Sequence, residues 1–207
     1  MNTAAEHEQQ TFTIVRGGRL DGPPLLMNLL RDTSAPVLVY LAEKYGLPRV
    51  PGLSRGELVQ RILRHLTPAE LTDLQGDLIA ARYGARPVED LLAAVLRHDE
   101  GKLEHGRPRL DDMPSEEATL IQGGTRRWLY TMHGHDVVID MNHRYLACSC
   151  PFFRFASHRR ALCKHLARAL TLVPEAYARE VLIDLLIAQE YGGPDAPAWQ
   201  FTSLRAA

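Results

Sequence analysis

The chain has 207 residues, of which 45% are hydrophobic and 24% charged, and its formal net charge is −1. These values are those of a soluble globular protein with one sizeable core or two small ones, and they exclude global disorder and a generic polyanion-coating protein. No apolar run approaches the roughly 20 residues that a membrane helix needs. The first residues, MNTAAEHEQQ, are polar and acidic where a signal peptide is basic and then apolar, so a cytoplasmic protein with no membrane partner is expected, nucleoid-associated if it binds DNA.

Residues 1–24 read as an N-terminal extension. Thr11 to Val15 has strand character, and Gly17-Gly18 and Pro23-Pro24 are a turn and a breaker. Residues 25–98 read as a helical domain, with apolar residues three and four apart, as in Leu38, Leu41, Ala42 and Tyr45, and again in Leu58, Ile62, Leu63 and Leu66. Ser54 with Glu57 forms a capping box, and Thr67-Pro68-Ala69-Glu70 places a cap, an N1 proline and a first-turn acid. An internal echo runs through this region: LAEKYG (41–46) leading to ELVQRILRH (57–65) returns as IAARYG (79–84) leading to DLLAAVLRH (90–98).

Residues 99–118, rich in Gly, Pro and charge, read as a linker. Residues 119–173 open with strand-like stretches, 127–132 and 136–141, on either side of a hairpin turn at His133-Gly134-His135. A third stretch, 145–147, runs into Cys148, and a helix from Leu162 to Val173 carries Cys163 and His165. Residues 174–207 read as a helix to about Gln189 and a loop-like tail. The fold class is α+β.

All three cysteines fall in one short window that also holds a histidine, which speaks against a disulfide framework and for a metal. Cys148 and Cys150, then Cys163 and His165, supply four ligands of the kind that structural zinc takes in a tetrahedron. Side chains two apart share one face of a strand but point to nearly opposite sides of a helix, so Cys163 and His165 need the irregular backbone of a helix end, with a tight loop between the two pairs. His143 and His158 are alternatives for the fourth position, and three cysteines with a histidine in a plain core is the bland alternative. Four protein ligands leave no place for substrate or water, which disfavours a catalytic zinc or a Cys–His nucleophile.

The segment around this window is basic. Between Met141 and Pro174 there is no Asp or Glu, while Arg144, Arg154, Arg159, Arg160, Lys164 and Arg168 are all present. One or two of these offset the negative charge of a zinc–thiolate centre; the surplus suits phosphates, with Arg154, Arg159, Arg160 and Lys164 the foremost contacts. Phe152, Phe153 and Phe155 form either the small core of the zinc module or a platform for unpaired bases.

The pattern Cys148-Ser149-Cys150, a twelve-residue spacer and Cys163-Lys164-His165 resembles the SWIM zinc finger, whose signature is CxC followed by CxH. The resemblance covers about Ile121 to Val173 and implies a β-hairpin plus helix around one structural zinc. SWIM fingers serve both as DNA-binding and as protein-interaction modules. Leu29 to Leu66 is similar to the helix-extended-loop-helix of SAP motifs and of the N-terminal module of the terminator Rho, with Arg55-Gly56-Glu57-Leu58 opening the second helix. That similarity implies DNA contacts from Arg55 and Arg61, with Arg49 beside them.

The combined expectation is a non-enzymatic, zinc-dependent nucleic-acid-binding protein, for DNA before RNA, acting as an accessory in repair, recombination or transcription. The alternatives are an adaptor that docks the finger and the apolar face Val181, Leu182, Leu185 and Leu186 onto a protein partner of that machinery, and a redox-responsive zinc–thiolate protein.

Overall fold

The computed structural model describes residues 24–100, 118–193 and 196–204. Among these the chain is a mixed α+β protein with eight α-helices and one five-stranded sheet, and it divides into two units, 1–84 and 85–207. The strand expected at Thr11 to Val15 and most of the expected linker lie outside the described residues.

The described part of the first unit is helical: α1 (Pro24–Asp32), α2 (Ala35–Lys44), α3 (Arg55–His65) and α4 (Pro68–Tyr83). Caps decide where two of these begin. The Glu57 N–H donates to Ser54 Oγ while the Ser54 N–H donates to the Glu57 carboxylate, and Thr67 with Glu70 repeats the exchange ahead of α4. Helix α2 stops where Gly46 turns left-handed at φ +76°, so that the Leu47 N–H reaches the Ala42 carbonyl at 2.9 Å and the Gly46 N–H reaches Glu43 at 3.0 Å. Buried Leu25, Leu29 and Leu30 of α1 and Leu74 and Leu78 of α4 lie on packed faces, since α1 packs on α4 and α2 on α3. Lys44 and Tyr45 both donate to Asp77 of α4, at 2.6 and 2.8 Å.

The second unit begins with α5 (Val88–Glu100) and continues with β1 (Ala118–Gly123), β2 (Arg127–Met132), β3 (His135–Asp140) and β4 (Tyr145–Cys148). After β4 come α6 (Pro151–Ala156), a 3-10 turn (Ser157–Arg159), α7 (Lys164–Leu170), α8 (Glu175–Glu190) and β5 (Gln200–Ser203). Strands β1 to β4 form an antiparallel meander, and β5 adds itself parallel to β4 at the far edge. The β2–β3 connection is a two-residue turn, His133-Gly134, with both residues at positive φ (+49° and +73°), the mirror-image turn that matches strand twist.

Three expectations are corrected here. The chain divides after Gly84 and not after 98: Leu91, Leu92, Val95 and Leu96 bury α5 on more than one face, and it packs against α8 in the second unit. The tail is not simply a loop, because Trp199 is buried and Gln200–Ser203 pairs with β4. The α8 face formed by Val181, Leu182, Leu185 and Leu186 is buried within the second unit, so it is no docking surface for a partner. Among the described residues no helix is long and apolar enough to cross a membrane.

Candidate metal centre

Strand alternation sets the first two cysteines. Cys148 ends β4 with its side chain buried, and Ser149 breaks the ladder: its N–H donates to the Asp136 carbonyl, and its Oγ accepts the Asp136 N–H, both at 2.9 Å. Cys150 is then extended (φ −67°, ψ 145°) and becomes the N-cap of α6, with Pro151 at the first helical position. Its Sγ accepts the Phe153 N–H at 3.4 Å.

The return path is helical where a tight loop was expected. Helix α6 and the 3-10 turn run to Arg160, which adopts the left-handed conformation (φ +51°) and lets the Ala161 N–H close onto the Ala156 carbonyl at 3.0 Å. Buried Ala161 and Leu162 lead to Cys163, the N-cap of α7, whose Sγ accepts the Leu166 N–H at 3.5 Å. His165 lies in the first turn of that helix. Both cysteine-bearing loops therefore end on helix N-termini, and Cys148 Sγ accepts the Cys150 N–H at 3.4 Å. Backbone N–H groups aimed at sulfur favour thiolate over thiol.

The four expected ligand residues meet. Cys148, Cys150, Cys163 and His165 are all buried, and one ligand atom from each lies within 4.8 Å of the others. The Cys148 Sγ stands 3.9 Å from His165 Nδ1. A tetrahedral ion with bonds of about 2.3 Å to sulfur and about 2.0 Å to nitrogen sets its ligand atoms about 3.5–3.8 Å apart, so the cluster has the size and the donor chemistry to hold a single metal ion, and it fits one zinc. His143 and His158 are not part of it. His143 is exposed and bonded to Asp140 at 3.0 Å, and His158 is exposed on the 3-10 turn.

The thiols are in electrostatic conflict without a cation. Hydrogen bonds from the Cys148 and Cys163 side chains hold Cys150 far below the usual thiol range. Cys148 is pushed up to about 12, first by its bond with Cys150, and burial is the main force raising Cys163. The same contacts that lower Cys150 raise its two neighbours. A divalent cation at the centre removes the conflict, because it lets all three ionise.

Three neighbours of the cluster carry no signal in the sequence pattern. The His135 ring lies 5.0 Å from the His165 ring and that of His133 6.1 Å away, so the β2–β3 turn covers the histidine ligand. Asp99, at the end of α5, is fully buried; its Oδ2 accepts the Leu162 N–H at 2.9 Å and its Oδ1 accepts from Gln189 Nε2 of α8 at 2.9 Å. It ties the residue preceding Cys163 to two helices.

The cations are spread over both units. Arg154, Arg159, Arg160 and Lys164 are exposed on the segment between Cys150 and His165. Arg168 is half-buried, with Nη1 donating to Thr171 Oγ1 at 3.3 Å. Arg144 faces Asp184 at 3.5 Å. In the first unit Arg55 is exposed and donates to the Leu30 carbonyl at 3.3 Å, while Arg61 lines a shallow groove with Arg49, Leu47 and Val50. Of the three phenylalanines, Phe153 is buried beside Phe201 of β5, Phe152 is half-buried and Phe155 is exposed.

No protein-family model, curated protein or solved structure matches the chain.

Proposed function

We propose that this chain is a zinc-dependent nucleic-acid-binding protein, without enzymatic activity of its own, that serves as an accessory factor in DNA repair, recombination or transcription. The observation that carries the reading is one juxtaposition. Four buried donor atoms sized for one ion pin both ends of a segment whose exposed side chains include Arg154, Arg159, Arg160 and Lys164, with no acid anywhere from Met141 to Pro174. The resemblance of the ligand pattern to SWIM fingers, and of Leu29 to Leu66 to the SAP and Rho N-terminal modules, supports the same reading.

Zinc, when bound, supplies shape and not chemistry: three thiolates and an imidazole close its tetrahedron and leave no position for a reacting group. The residues of the chain then do the binding. Cations along the segment displace counterions from phosphates, so affinity falls steeply with salt. Titration of a labelled DNA at several salt concentrations tests this. Several phosphate contacts give a steep log–log slope, and removing the charge at Arg154, Arg160 or Lys164 flattens it by about one unit per residue. Binding that is absent, or indifferent to salt, overturns the proposal.

A further inference from the structure

Helix α6 sorts its three aromatic residues, and the outcome bears on which form of nucleic acid this surface takes. Phe153 turns inward against Phe201, Phe152 is half-buried, and Phe155 is left 72% exposed, the most exposed of the large hydrophobic side chains among the described residues. An isolated Phe on a surface costs little, but this one has a particular setting. Arg154 precedes it, Arg159 follows one helical turn later, and Arg160 and Lys164 are exposed further along the same segment. Strand β5, against which α6 and the 3-10 turn pack, carries no charged residue either.

The segment is also held in one shape. Cys150 caps α6 at one end, Cys163 caps α7 at the other, and the Ala161 N–H closes the turn between them onto Ala156. An exposed aromatic ring on a basic segment without acids suits a partner that brings negative charge and flat π-faces together. Unpaired bases on a phosphate backbone have both. A duplex offers the phosphates but hides the base faces in its own stack. An apolar protein partner would meet a basic segment that carries no acid of its own.

We propose that Phe155 is a base-stacking platform and that the surface prefers single-stranded nucleic acid over duplex. This rests on the nucleic-acid reading above and deepens it. The test uses the full, zinc-loaded chain with labelled oligothymidylate, oligouridylate and a mixed-sequence DNA duplex, followed by fluorescence anisotropy. Either or both single strands should bind more tightly than the duplex, and the tighter of the two identifies the sugar preferred. Phe155→Ala should weaken single-strand binding about 5- to 100-fold and leave duplex binding unchanged, and Phe155→Trp should restore it. Zinc content and the melting curve of each variant check that the exposed substitution leaves the fold intact.

Steep salt dependence together with a silent Phe155→Ala, or with equal weakening toward both forms, overturns the stacking inference and leaves the nucleic-acid reading standing. Absence of binding to all three probes overturns both.

Discussion

Leu162 donates its backbone N–H to the buried Asp99 carboxylate at 2.9 Å, which joins the residue before ligand Cys163 to the last turn of α5. The other carboxylate oxygen holds Gln189 of α8, so one side chain fixes the approach to the metal centre from two helices at once. Asp99→Ala leaves the Leu162 N–H and the Gln189 amide without this acceptor inside the protein. Removal of such a charged acceptor costs about 2–3 kcal/mol. Urea unfolding should show that loss, and a competitive chelator titration should show zinc affinity falling about tenfold or more, as for other groups that orient ligands. Asp90→Asn, an exposed change on the same helix, should move neither quantity. Unaltered zinc affinity in Asp99→Ala would make the carboxylate a packing element only.

Metal removal should be visible in one unit alone. The chain has two tryptophans, Trp128 and Trp199, and both are buried in the second unit. Chelation, or Cys163→Ser, should therefore shift tryptophan emission to the red as the second unit loosens. The far-ultraviolet helical signal should fall only in part, because α1 to α4 hold no ligand. Emission that stays constant while zinc is lost would show that the second unit keeps its packing without the ion.

Arg160 separates charge from conformation. At φ +51° it occupies a left-handed position that costs a non-glycine residue about 1 kcal/mol or more. Arg160→Gly relieves that strain, offset by the greater freedom of glycine in the unfolded chain, so its melting temperature should equal or exceed that of Arg160→Ala. Both variants lose the same cation, and both should flatten the salt slope of DNA binding by about one unit. A Gly variant that melts well below the Ala variant would show that the arginine side chain, not the backbone turn, supports this corner.

The first unit should have its own pH signature. Hydrogen bonds from Lys44 and Tyr45 lower the Asp77 pKa, so its contribution is present above the unfolded-state value of about 3.9 and is lost as pH falls through the depressed native value. Burial, and then the bond to Asp77, raises Tyr45, so its contribution is complete below the unfolded-state value of about 10 and declines as pH rises above it. Asp77→Asn should remove the acid dependence and reduce the alkaline one, of which the part due to burial stays, at a cost of about 1 kcal/mol or less for so exposed a pair. Melting curves from pH 2 to 11 give the check, and an acid limb identical in Asp77→Asn and the parent chain would assign it to other carboxylates.

The Cys3His cluster was legible because it is written in chemistry: three cysteines and a histidine at ligand spacing identify one another without any knowledge of the fold. The capping boxes at Ser54 and Thr67 were legible because they are local, each closing over three residues. Asp99 was hidden for the opposite reason. It lies 63 residues from Leu162, and in the sequence it is one acid in a charged stretch. Strand β5 has four residues and follows Gly and Pro, and its partner β4 ends more than fifty residues earlier, so periodicity had nothing to register. The echo at 90–98 marked a helix there but could not show what it packs against, and α8 is the answer. Which phenylalanine faces outward depended on a six-residue helix that the pattern read as a loop.

Cys148 pairs with Ser203 in β5, and the Leu204 N–H closes onto the Cys148 carbonyl at 3.0 Å. During synthesis this makes the outer wall of the metal centre a late arrival. All four ligands have left the ribosome some forty residues before that strand does, while the first unit has long since had its whole sequence. An ion captured by the nascent chain therefore meets a complete coordination set on an incomplete sheet. Docking of β5 then completes the sheet beside Cys148 after the four side chains of the cluster have all been made, so the wall of the cluster is built from both sides of a gap of more than fifty residues.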